Sequence, residues 1–126
     1  MAFLPAGDRR YLEGRGLAFR EIEDGVRKGV VLEAFPLPPD QFQVSEADVL
    51  IQLPPGYPDA CPDMFWTAPH LVLAESGREP NCTQVRETFA GLQWQRWSRH
   101  SQDWRPGADG LRTMIKRIEQ ALKVAA

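Results

Sequence analysis

Gly56-Tyr57-Pro58-Asp59-Ala60-Cys61-Pro62-Asp63-Met64-Phe65-Trp66 opens a stretch that runs to Asp103 and decides how the rest of the chain is read. Met64-Phe65-Trp66 has the composition of a short strand, entered from a proline-rich turn. Ala68 to Pro80 shows no sustained period and is expected to be irregular. It ends in the polar run Glu75-Ser76-Gly77-Arg78-Glu79-Pro80-Asn81-Cys82-Thr83, where Cys82 has no apolar neighbour. A structural cysteine usually sits in apolar sequence, a reactive one in a polar, accessible place. Asn81 suits the N-cap of a short helix, with Gln84 as its reciprocal partner. Cys82 is then expected at the first helical position, where the dipole favours a thiolate. Beyond it, Trp94, Arg96, Trp97, Arg99, His100 and Trp104 interleave aromatic and basic character. Such a pattern can stack on single-stranded nucleic acid. In a slightly acidic chain it reads better as a brace that anchors the irregular segment to the core.

Working outward, Asp8 to Gly16 reads as a short helix that Asp8 can cap, with Tyr11 and Leu12 as its apolar face. Arg9, Arg10 and Arg15 lie on or beside it, as a solvated face or a docking surface. Leu17 to Ile22, Gly29 to Phe35 and Ser45 to Leu53 read as strands, with Asp24-Gly25 as a hairpin turn between the first two. With Met64 to Trp66 they make a four-stranded antiparallel meander joined by short links. From about Asp109 to Val124 the period changes to that of a helix, and Leu111, Ile115, Ile118 and Leu122 form its apolar stripe. The expected fold class is therefore α+β: short N-terminal helix, four-stranded antiparallel meander, irregular cysteine loop, C-terminal helix. It is expected to be a single domain over residues 1–126.

Composition narrows function. A net charge of −2 gives no electrostatic case for nucleic acid or an anionic membrane. No apolar run approaches the ~20 residues of a membrane span. Met1-Ala2-Phe3-Leu4-Pro5 is too short for a signal peptide, so a cytoplasmic setting with free thiols at Cys61 and Cys82 is expected. The chain has no CxxC pair, zinc-ligand spacing, Walker loop or GxGxxG run, so no cofactor and no metal are expected.

The order of these features resembles a ubiquitin-conjugating enzyme domain. In that family a Tyr-Pro-x-x-x-Pro segment leads into the fourth strand, as Tyr57, Pro58 and Pro62 do here. The family's catalytic cysteine follows that tyrosine by about 25 positions, where Cys82 stands, and a Trp-x-Pro segment like Trp104-Arg105-Pro106 precedes the next helix. Leu53-Pro54-Pro55-Gly56-Tyr57-Pro58-Asp59, Trp94-Gln95-Arg96-Trp97-Ser98-Arg99-His100 and Trp104-Arg105-Pro106-Gly107 are similar to the bacterial branch called prokaryotic ubiquitin-conjugating family E. The resemblance implies a ubiquitin-like protein and an activating enzyme as partners, and a metal-dependent deconjugating protease in the same system. Two departures matter. The family's His-Pro-Asn motif, about ten positions before the cysteine, is missing, and Val72-Leu73-Ala74 stands there. The asparagine of that motif is assigned to oxyanion stabilisation or loop support. The segment from Cys82 to Trp104 is also longer than in eukaryotic relatives, which could bring His100 or Asn81 back towards the thiol as a substitute.

Acyl transfer from thioester to amine needs a thiolate, a donor at the oxyanion and a way for the amine to lose a proton. Cys82 suits the first role, and His100 or Asn81 the oxyanion donor. Arg96 or Arg99 could act electrostatically. The plainer readings are an incidental surface thiol at Cys82, a surface or capping histidine at His100, and a packed, structural Cys61. His70, Asp59, Asp63 and Asp103 read most simply as loop residues. The leading expectation is an enzyme that accepts a ubiquitin-like protein on Cys82 and passes it to an amine. The alternative is a non-catalytic binding module of the same fold that recruits the modifier or the activating enzyme.

Overall fold

The computed structural model describes residues 3–100 and 103–125. Its elements are α1 (Ala6–Gly14), β1 (Phe19–Asp24), β2 (Arg27–Pro36), β3 (Glu46–Leu53), β4 (Phe65–Ala68), β5 (Arg86–Phe89), β6 (Leu92–Trp97) and α2 (Leu111–Lys123). The strands form one antiparallel sheet in the order β1-β2-β3-β4-β6-β5. The expected meander is its first four strands. Gly25 and Val26 make the turn between β1 and β2, with Gly25 at φ +64°. Among the described residues no helix is long and apolar enough to cross a membrane.

Both faces of the sheet are covered, which explains why Val30-Val31-Leu32 and Val49-Leu50-Ile51 are continuously apolar. Val30, Leu32, Val49, Ile51, Phe65 and Trp97 face the core shared with α2. Val31, Leu50 and Trp66 pack on the other side with Phe89 and Trp94. The register sets these layers: Val31 pairs with Leu50, and Leu50 with Trp66.

Among the described residues the expected four-stranded meander is extended to a six-stranded sheet, and the first part of the tryptophan-rich run is β6. Trp94 and Trp97 stand three positions apart and so fall on opposite faces of the strand. Trp94 packs on one side, while Trp97 stacks on Phe65 on the other, with ring centroids 5.2 Å apart. The hairpin between β5 and β6 turns at Ala90 and Gly91, which adopt φ +51° and +82°. Such turns normally announce themselves as Asn-Gly or Asp-Gly, and an alanine in the first place hides the signal.

This hairpin curls the sheet back on itself. Phe89 lies over Gly29 of β2, where an added Cβ would stand 3.2 Å from the Phe89 ring and 2.8 Å from Leu50 Cδ1. Arg27 Nη1 and Gln52 Nε2 donate to Glu87 Oε2, and the Ala90 N–H donates to Asp24 Oδ2. A glycine at position 29 is what lets an edge strand of the sheet approach β2 so closely.

The C-terminal helix packs as its stripe requires: Leu111, Ile115 and Ile118 are fully buried and Leu122 nearly so. Its first turn is capped from elsewhere. Asp8, expected to cap its own helix, instead lies within the first turn of α1 and accepts the Leu111 N–H at 3.1 Å. Its other oxygen accepts the Tyr57 hydroxyl. Burial, and then this bond, push the Tyr57 hydroxyl well above its ordinary pKa. A Cβ on Gly110 would stand 2.6 Å from Asp8 Oδ1, so glycine is needed for that approach.

Ile118→Ala should destabilise the protein by about 2–5 kcal/mol in chemical denaturation, because it empties a fully buried site. Asp109 is held down to about 2, chiefly by the Arg105 side chain and then by the Arg105 N–H. A depressed carboxylate contributes stability above its unfolded pKa of about 3.9, and that contribution fades as pH falls towards 2. Asp109→Asn should therefore lower the melting temperature at pH 7, and the difference from wild type should shrink between pH 4 and pH 2.

Candidate functional site

The cysteine loop depends on a buried amide that the sequence reading passed over. Gln95 on β6 is fully buried, and its side chain reaches from the sheet into the segment after β4. Gln95 Oε1 accepts the Leu71 N–H at 2.7 Å and the Thr67 hydroxyl at 2.8 Å. Gln95 Nε2 donates to Leu71 O at 3.1 Å and to Glu79 Oε1 at 3.4 Å. The Trp97 indole N–H donates to the same Thr67 hydroxyl, which closes the network. Every polar group in it is satisfied, the condition under which a buried network stabilises and orients. On its other side the segment is tied by a bridge between Phe42 and Leu73, flanked by main-chain bonds from Gln43 to Val72 and from Ala74 to Gln41. The one sequence signal for it is a glutamine standing between two tryptophans, Trp94 and Trp97.

From Glu79 onward the loop is fixed by a second set of bonds. Arg86 Nη2 lies 2.6 Å from Glu79 Oε2, and Arg86 Nη1 donates to Thr83 O at 2.8 Å. The Arg86 bond is the main reason the Glu79 carboxyl sits below its usual pKa. The buried Thr83 hydroxyl and Gln84 Nε2 both donate to Pro80 O. The Ser98 N–H, just past β6, donates to the carbonyl of Cys82 itself at 3.1 Å, and Arg99 Nη1 donates to Asn81 O at 3.1 Å. Backbone on both sides of the cysteine is therefore held, while its side chain is exposed.

The expected helix at this point does not form. Asn81 and Cys82 lie in a turn, and Cys82 adopts φ +60°, the left-handed region, which ends any right-handed helix. Gln84 turns its amide to Pro80 O instead of completing a capping box. The thiol thus has no helix dipole behind it.

Of the residues singled out in the sequence, Cys82 and Asn81 are adjacent on the exposed turn. His100 lies two residues beyond Ser98, the residue bonded to Cys82 O. Its Nδ1 is 2.7 Å from Asp63 Oδ1, a pairing the sequence did not suggest. Arg99 stacks over Trp97 at 5.1 Å, whereas Arg96 is half-buried on β6. Cys61 is half-buried, its thiol donating to Pro62 O at 3.0 Å with Arg117 Nη1 at 3.7 Å. His70 is exposed on the loop after β4. Trp104 donates its indole N–H to Pro58 O and packs against Tyr57, so the Trp-x-Pro and Tyr-Pro segments are in contact. Asp63, Phe65, Arg99 and His100 form one wall of a groove of about 430 Å³, with Met114 and Ile118 of α2 opposite.

A curled antiparallel sheet with a helix at each end of the chain fits an E2-like domain. The chain belongs to prokaryotic E2 family E, whose family model matches residues 4–125, nearly its whole length. No curated protein and no solved structure matches it.

Replacing Gln95 tests the tether. Gln95→Leu leaves the Leu71 N–H and C=O buried without partners, at about 1–3 kcal/mol for each unsatisfied group. Denaturation should show that loss, and amide hydrogen exchange should quicken at Leu71 before the core strands.

Proposed function

We propose that this protein is a ubiquitin-like-protein conjugating enzyme that accepts its modifier from an activating enzyme as a thioester on Cys82 and passes it to an amine. The observation that carries the reading is the placement of Cys82: an exposed side chain on a turn whose flanking carbonyls are both held from the end of β6. A nucleophile in acyl transfer must be open to a large partner yet fixed in position, and that placement meets both needs. Family membership supports the modifier and the activating enzyme as partners.

Cys82 is the acyl acceptor. Asn81 is the oxyanion donor: it is exposed beside Cys82, and among the described residues its side-chain amide makes no hydrogen bond, so it is free to turn to the tetrahedral intermediate. His100 serves the side from which the amine arrives. Gln95 takes over the loop support that the family's His-Pro-Asn asparagine gives elsewhere.

A second reading is a non-catalytic module that binds the modifier or the activating enzyme. It is favoured by Val72-Leu73-Ala74 standing where that motif is expected.

Incubation with a cognate activating enzyme, the modifier and ATP separates the two on a non-reducing gel. The wild type should form a thiol-sensitive adduct, Cys82→Ala should abolish it, and Cys61→Ala should retain it. Asn81→Ala should slow discharge by about 10²–10³-fold, the usual cost of one oxyanion donor. An adduct that survives Cys82→Ala and disappears in Cys61→Ala overturns the assignment of the nucleophile. No adduct with an activating enzyme of proven activity leaves the binding module as the function.

A further inference from the structure

We infer that Asp63 is a positioning residue that fixes His100 as the proton acceptor for the amine attacking the Cys82 thioester. This deepens the proposed function and rests on it.

The sheet itself delivers the pair. Phe65 of β4 lies opposite Trp97 of β6, so the chain entering β4 runs beside the chain leaving β6. Asp63 is two residues before that rung and His100 three residues after it. Their side chains meet just past the end of the ladder, with Nδ1 2.7 Å from Oδ1. An ionised carboxylate can only accept a hydrogen bond, so a neutral His100 must carry its proton on Nδ1. The lone pair is then on Nε2. In that tautomer Nε2 cannot donate to an oxyanion but can take a proton from an amine.

The placement suits the step. The His100 side chain is exposed, so an arriving amine can reach its ring. Its main chain is two residues from Ser98, which is bonded to the carbonyl of Cys82. The base need not touch the thiol, because the amine lies between them. A reacting nitrogen stands ~3–3.5 Å from the carbonyl carbon, and the base ~3 Å beyond the nitrogen.

In the step, the amine nitrogen attacks the thioester carbonyl and a C–N bond forms. His100 Nε2 takes the proton that the nitrogen sheds. The C–S bond then breaks, its electron pair leaves on Cys82 Sγ as the thiolate, and the imidazolium gives its proton up to solvent. Asp63 touches none of the reacting atoms. It holds the tautomer and the ring.

Two measurements test this. In ¹⁵N NMR at a pH where the imidazole is neutral, with the other histidine resonance assigned by His70→Ala, wild-type His100 should be mainly the Nδ1–H tautomer. Asp63→Ala should turn it mainly to Nε2–H. In single-turnover discharge of a preloaded Cys82 thioester to free lysine, His100→Ala should slow transfer by about 10²-fold or more, within the usual range for general base catalysis. Asp63→Ala should slow it at least 10-fold, and the double variant should be no slower than His100→Ala alone. Asp63→Glu should restore part of the rate, and in every variant the rate is read from thioester loaded beforehand. A wild-type Nε2–H tautomer, or a tautomer unchanged by Asp63→Ala, overturns the inference without reference to activity. So does discharge within twofold of wild type in Asp63→Ala while the Cys82 thioester forms normally, a result that leaves the proposed function standing. Failure of any thioester to form on Cys82 overturns the function and the transfer step with it.

Discussion

The buried amide of Gln95 is the interaction on which the arrangement around Cys82 depends. An amide has a donor and an acceptor, and here both point at one residue of the irregular segment after β4: Leu71, through its N–H and its C=O. That is the pairing a neighbouring strand would have given. The segment after β4 therefore stays attached to the sheet without being part of it, and the loop it leads to can be irregular without being adrift. Trp97 and Thr67 hold the amide itself in place from the core side. Substituting an apolar residue of similar size would keep the packing and lose the tether.

A second coupling joins the ends of the chain to this centre. Asp8 on α1 binds Tyr57 ahead of β4 and the first turn of α2, and Trp104 rests against Tyr57. The Tyr-Pro segment, the Trp-x-Pro segment and the two helices are thus one packed unit. The curl of the sheet does the same on the far side, where Arg27, Gln52 and Asp24 bind the β5–β6 hairpin. Cysteine loop and groove both lie at the end of β6, so the rigidity of that strand sets how well both are positioned.

The electrostatics of the site are local. The chain carries little net charge, and the ion pairs around the loop serve geometry more than field. Arg86 spends its guanidinium on Glu79 and on a loop carbonyl, and Arg99 spends one nitrogen on Asn81 O. Such partially exposed pairs contribute little stability individually. Their value here is that each fixes a particular loop carbonyl, which limits where the cysteine can go.

Much of the fold was legible in the sequence because its signals are local. The period of Leu111, Ile115, Ile118 and Leu122 set the C-terminal helix, Asp24-Gly25 set the first hairpin, and the alternating apolar residues set the first strands. The polar surroundings of Cys82 anticipated its exposure, and the tryptophans anticipated a brace. What only the tertiary structure decided depends on partners distant in sequence. β5 and β6 were missed because Ala90 carries a turn conformation usually announced by asparagine or aspartate, and because a strand buried on both faces does not alternate visibly between apolar and polar. The helix expected at Asn81 fails because Thr83 and Gln84 find a better acceptor in Pro80 O and Cys82 turns left-handed. Asp63 looked like an ordinary loop residue because its partner, His100, lies 37 residues away and meets it only through the register of β4 against β6.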